Sequence, residues 1–180
     1  MKKLLFVAAL GMFAMSAQAQ VTLVGGEEMF PVKNIVQNAV NSPDHTTLVA
    51  AVKAADLVAT LQSDGPFTVF APVNDAFENL PEGTVETLLK PENKDALVNV
   101  LTYHVVAGKL DFDQLALKIK AGFGTAKLKT VSGATLIAKM NGAHNIVLED
   151  EKGQVANITT YDVYQKNGVI HVIDTVVLPG

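Results

Sequence analysis

The stretch Asn167-Gly168-Val169-Ile170-His171-Val172-Ile173-Asp174-Thr175-Val176-Val177-Leu178-Pro179 decides how this chain reads. Asn-Gly is turn chemistry, and a β-branched run follows it up to a proline. Only His171 and Asp174 bring ionisable groups into the run, so the segment is predicted to be a strand over Val169–Leu178, buried on both faces. A second run of the same character stands far upstream, at Gly65-Pro66-Phe67-Thr68-Val69-Phe70-Ala71-Pro72-Val73-Asn74-Asp75-Ala76-Phe77.

Between and around them the hydrophobic period changes once. Pro31 is expected to open a helix bearing Val32, Ile35, Val36, Ala39 and Val40, stopped at Asn41-Ser42-Pro43. The threonine pair Thr46-Thr47 caps a longer helix with Leu48, Val52, Ala55, Val58 and Leu61 on one face. Asn74 and Asp75 stand where the helix after Phe67–Ala71 needs its N-cap, and Thr84 can cap another near Thr84–Leu89. Pro91 starts a helix with Leu97, Val100, Leu101 and His104 at helical spacing, and Asp111–Lys120 forms one more. From Lys127 the period is two, with strands predicted at Lys127–Val131, Thr135–Met140, Asn145–Glu149 and Val155–Thr159. Helices first and strands later give an α+β class.

The N-terminus reads as an address. Lys2 and Lys3, the apolar Leu4–Met15 and the small-x-small Ala17-Gln18-Ala19 have the order of a signal peptide. The apolar part is shorter than the ~20 residues a spanning helix needs. Residues 1–19 are therefore expected to be removed, leaving a lead at 20–31 and one domain at 32–180, with no stable membrane insertion afterwards. The destination is the periplasm or the exterior. With no cysteine in the chain, thiolate catalysis, cysteine metal sites and a lipidated cysteine are excluded. With no arginine and a net charge of −4, nucleic acid is a poor partner.

The two runs, with Leu101-Thr102-Tyr103-His104-Val105-Val106-Ala107-Gly108 between them, resemble the signature segments of the fasciclin (FAS1) domain family, in family order. The resemblance implies an α+β domain of helices packed around a β-strand wedge. Thr68, Phe70, Pro72, Asn74, Asp75, His104, Asn167, Gly168, His171 and Asp174 are its structural signature positions. It also implies an exported adhesion-type module whose partner is an extracellular or periplasmic protein or glycan. Family contacts through an Asp-Ile pair and the Tyr-His segment map onto Asp162, Val163 and Tyr103, and Tyr164 joins them as an aromatic candidate. Valine stands here where the family has isoleucine.

Catalysis finds little support in the residues. Ser42, Ser63 and Ser132 lie outside any Gly-x-Ser-x-Gly elbow. Gly122-Phe123-Gly124 lacks the third glycine of a dinucleotide loop. His104 and His171 are read as core histidines, and no spacing joins them with Asp174 as metal ligands, so neither a metal nor a cofactor is expected. Glu149-Asp150-Glu151 reads as a solvated turn, and Asn157-Ile158-Thr159 as an accidental glycosylation pattern. The small and aliphatic residues along the helices allow one alternative, a periplasmic carrier holding a small apolar ligand between helices and sheet.

Overall fold

The computed structural model describes residues 21–180; the leader reading at 1–19 lies outside them. A hairpin comes first, β1 (Thr22–Val24) and β2 (Glu27–Met29). The lead was expected to lie over the surface, but Val24 and Met29 turn inward and join the core. Five helices and one strand follow: α1 (Ile35–Ala39), α2 (Thr46–Ala54), α3 (Val58–Gln62), β3 (Phe67–Pro72), α4 (Asn74–Glu78) and α5 (Thr84–Leu88). Then come α6 (Lys94–Tyr103), β4 (Val105–Ala107), α7 (Phe112–Ala121) and the strands β5 (Thr125–Lys129), β6 (Thr135–Met140), β7 (Ile146–Glu149), β8 (Val155–Gln165) and β9 (Gly168–Ile173).

The α+β architecture follows from how β9 is placed. Seven strands lie in the order β4-β3-β9-β8-β7-β6-β5, with β9 parallel to β3 and every other pair antiparallel. The bridge between Val106 and Thr130, with the Val131 amide donating to the Val105 carbonyl at 2.8 Å, nearly closes the sheet into a barrel. β9 is buried along its whole length because both of its faces meet a core. Ile170 and Val172 face the helices with Val69 and Ala71 of β3. Ile173 faces the barrel interior, with Phe70, Leu115, Ile119 and Leu148. Alternation along a strand thus feeds two cores at once.

Gly168 is fixed by this packing. A Cβ there would lie 2.1 Å from the Phe67 carbonyl oxygen, so the first parallel pair closes only over glycine. The strand ends at Ile173, short of Leu178. Beyond it the Asp174 amide still donates to the Asn157 carbonyl at 3.2 Å, while the Asp174 carboxylate accepts from the Asn157 amide and Nδ2, both at 2.8 Å, in place of a further backbone acceptor.

Several local expectations are corrected by capping. Pro31 lies before α1, whose N-cap is Asn34 in a reciprocal capping box with Gln37. The helix expected to run from Leu48 to Leu61 is two helices. After Ala55 the chain enters the left-handed region at Asp56 (φ 58°), with the Leu57 amide returning to the Val52 carbonyl. That is a Schellman turn, and an aspartate tolerates its left-handed position. Thr46 and Thr47 make no cap of their own. Asn74 supplies it from across the core, its Oδ1 accepting from the Thr47 amide at 3.0 Å and from Thr46 Oγ1 at 3.2 Å. The N-cap of α4 is then Val73, and Asp75 sits exposed in its first turn. Thr84 is the first helical residue of α5 behind Gly83.

β5 begins two residues before the expected Lys127, and β8 continues past Thr159 to Gln165. Asp150 is buried, its Oδ1 accepting from the Lys152 and Gln154 amides and its Oδ2 from the Leu178 amide, so it organises the turn it was expected only to solvate.

Candidate functional site

The second half of β8 is irregular. Its register against β9 shifts between Ile158 and Thr160, and again between Thr160 and Val163. Asp162, at φ 56°, stands in the left-handed region inside this bulge. A bulge re-aims side chains, and a non-glycine at positive φ persists only where its surroundings hold it. The surroundings here are specific. The Asp162 amide donates to His171 Nδ1 at 3.3 Å, and His171 Nε2 donates to the Leu110 carbonyl at 2.7 Å. Asp162 Oδ1 accepts from the Phe112 amide at 2.8 Å, covering the first turn of α7 beside that helix's own N-cap, Asp111. Tyr161 packs edge-on against Phe112, at 5.2 Å between centroids, and its hydroxyl accepts from the Ile146 amide at 2.7 Å.

His171 is therefore a neutral imidazole, protonated on Nε2. Burial pushes its pKa below the ordinary value, against the pull of the Leu110 carbonyl and the Asp162 and Asp111 charges. Phe70 stacks on its ring at 5.7 Å. Thr68 Oγ1 donates to the Gly108 carbonyl and accepts from the Leu110 amide, tying the β4–α7 connection to β3. Pro72 ends β3 in the buried register opposite Ile173.

Of the four contact candidates, two are not on the surface. Tyr103 is 0 % exposed and donates its hydroxyl to the Thr135 carbonyl at 2.9 Å, closing the barrel end; Val163 is 1 % exposed and packs against the helices. The i+2 alternation that turns Val163 inward turns its neighbours outward. Asp162 and Tyr164 remain half-buried, and Lys109 Nζ lies 4.3 Å from the Tyr164 ring centre. Burial raises the Tyr164 pKa first, and Asp162, Asp111 and Asp113 add to the rise. The surface formed is a tyrosine braced by one lysine and ringed by three aspartates.

His104 caps the end of α6. Its Nδ1 donates to the Val100 carbonyl at 2.8 Å, and its Nε2 accepts from the Val177 amide at 3.3 Å. Burial pushes this imidazole down to about 4, against the Val100 carbonyl. His104, His171 and Asp174 each have separate partners, and among the described residues no three His, Cys, Asp or Glu side chains are grouped to hold a metal.

Two features lie outside the four contact candidates. A cavity of about 120 Å³ lies between the helices and the β3–β9 face, lined by aliphatic side chains such as Ile35, Leu48, Val52 and Val69. His45 lines it, 4 % exposed, with Nδ1 2.8 Å from Ser42 Oγ. The Ala71 carbonyl pulls on the ring, yet Nε2 meets no partner in hydrogen-bond geometry. A serine beside a histidine has the outline of a nucleophile and base, but no carboxylate orients the far nitrogen. The second is Phe123, 100 % exposed at φ 55°. The Phe123 amide donates to Lys120 and the Gly124 amide to Ile119, which makes Phe123 the left-handed residue of a Schellman turn ending α7. Glycine is favoured there, and a side chain costs about 1 kcal/mol. The Gly-Phe-Gly triplet was the available signal, since glycine on both sides of an aromatic marks a turn that holds the ring out.

Comparison with known proteins agrees with this architecture. The Fasciclin domain family model matches residues 43–179. Protein sll1483 of Synechocystis sp. is 50 % identical over 147 residues, covering 81 % of this chain and 73 % of its own length. Protein sll1735 of the same organism is 44 % identical over 149 residues, covering 82 % and 98 %. A solved FAS1 domain pair from the insect cell adhesion molecule Fasciclin I superposes with a TM-score of 0.71 at 19 % identity, over 83 % of this chain and 52 % of that one. Helices around a nearly closed sheet define an α+β domain of the fasciclin class. The chain belongs to the Fasciclin domain family.

Proposed function

We propose that this protein is an exported, non-enzymatic interaction module of the adhesion type, engaging a protein or glycan through the β8 bulge. The observation that carries the reading is Tyr164, held by Lys109 on a bulge pinned from below by His171 and Leu110. A rigid tyrosine with an apolar ring and a polar tip loses little freedom on contact, which is the character of an interface hot spot. The adhesion molecule Fasciclin I among its structural neighbours supports the role, and the signal-like N-terminus supports export. Among the described residues no helix is long and apolar enough to cross a membrane.

Tyr164→Ala should weaken cell or matrix attachment at least about ten-fold, as loss of a hot-spot aromatic does, with the melting temperature unchanged. Asp162→Ala is a different variant. It uncovers the Phe112 amide and should lower the melting temperature as well. Attachment that survives Tyr164→Ala overturns the patch.

The cavity favours a second reading, a carrier for a small apolar ligand. A void of about 120 Å³ lined by aliphatic groups is on the scale of engineered cavities that take up benzene. Native mass spectrometry of the protein from its own compartment discriminates: a retained small-molecule mass supports the carrier, and a bare polypeptide mass removes it.

A further inference from the structure

We propose that the turn between α7 and β5 is a peripheral docking site for an anionic lipid bilayer, with Phe123 as the inserted side chain. Two independent observations meet at this turn. Phe123 stands wholly in solvent at a backbone position that favours glycine, and no contact within the fold uses its ring. The second is charge. From Gln114 to Leu148 the chain has no aspartate or glutamate, yet it has Lys118, Lys120, Lys127, Lys129 and Lys139, in a protein whose net charge is −4.

The fold gathers this charge around the aromatic tip. Lys118 and Lys120 lie exposed in the last turn of α7, directly before Phe123. Lys127 follows it on the outward face of β5, with Lys129 further along at the strand's far end opposite Thr135, and Lys139 of β6 is paired with Thr125 beside the turn. Lys139 is held by Glu149; among the described residues the other four make no ion pair.

The partner must then be anionic and must also accept an aromatic ring without offering it a groove. An acidic glycan meets the first condition but stacks on at most one face of a ring that is exposed on every side. An anionic bilayer meets both: headgroups take the ammonium groups while lysine stems and the ring enter the boundary with the acyl chains. The contact is peripheral, reversible and sensitive to salt.

The test uses Phe123→Trp, which gives the chain its only tryptophan. Mixed with vesicles of phosphatidylglycerol and phosphatidylcholine in equal parts, this variant should shift its emission to the blue; with phosphatidylcholine alone it should not. Phe123→Gly suits the backbone at least as well as phenylalanine. It should lower cosedimentation with the mixed vesicles roughly ten-fold, the value of burying one such ring. Lys118→Gln with Lys120→Gln should weaken cosedimentation and flatten its salt dependence. Both comparisons are made within the same chain, so the apolar N-terminal stretch contributes equally to each side. Unshifted tryptophan emission on vesicles that bind, or equal cosedimentation of Phe123→Gly and the parent, overturns the proposal. So does capture by a sulfated glycan that leaves vesicle binding absent.

Discussion

Asn167 joins three segments with one amide. Its Oδ1 accepts from the Ile35 amide at 3.0 Å, and its Nδ2 donates to the Leu61 and Ser63 carbonyls at 2.8 and 2.7 Å. Asn167→Ala leaves these buried groups unpaired and should cost roughly 3 kcal/mol, read from the urea midpoint. Asn167→Asp should do little better, because a carboxylate cannot donate to two carbonyls. An unchanged midpoint in either variant contradicts this account. Asn74 works the same way at smaller scale: Asn74→Ala uncaps α2 and should cost about 1 kcal/mol. In the sequence both residues read as local chemistry, a turn for one and a cap of its own helix for the other. Their actual partners lie on distant segments, so only the residue type was legible, not its use.

At the scale of elements, hydrophobic period located nearly every helix and strand and missed the places where the backbone turns left-handed. Leu48, Val52, Ala55, Val58 and Leu61 keep helical spacing straight across the Asp56 turn, so the break between α2 and α3 leaves no mark in that pattern. The bulge in β8 is hidden for a related reason. Tyr161, Asp162 and Val163 alternate as a strand should, and only the register against β9 reveals the extra residues. Val163, made a contact candidate by the family resemblance alone, is inside. The α7–β5 turn permits a direct measurement: Phe123→Gly should raise stability by about 1 kcal/mol by relieving a side chain at positive φ. A lower urea midpoint for this variant would mean the ring contributes to the fold.

For the whole molecule, three buried histidines set the response to acid. Burial lowers the pKa of His45, His104 and His171 below the ordinary 6.5, His104 to about 4. The unfolded chain therefore takes up protons that the folded one refuses. Their stabilising effect is complete above about pH 6.5 and is lost as pH falls toward about 4. For His104 alone the loss is about 3 kcal/mol across that window. Urea midpoints should drop steeply between neutral pH and the lower end, and His104→Gln should flatten the slope; a midpoint independent of pH there contradicts the assignment.

The position of β9 also fixes an order of events. It lies between β3 and β8, with β3 paired to a segment about a hundred residues away in the chain, and it follows every other strand of the sheet in sequence. A chain emerging N-terminus first presents β3 with an empty flank until Gly168–Ile173 is free. Neither core can be completed before then. Delay is thus written into the strand order: the domain becomes one cooperative body only when its C-terminal strand arrives.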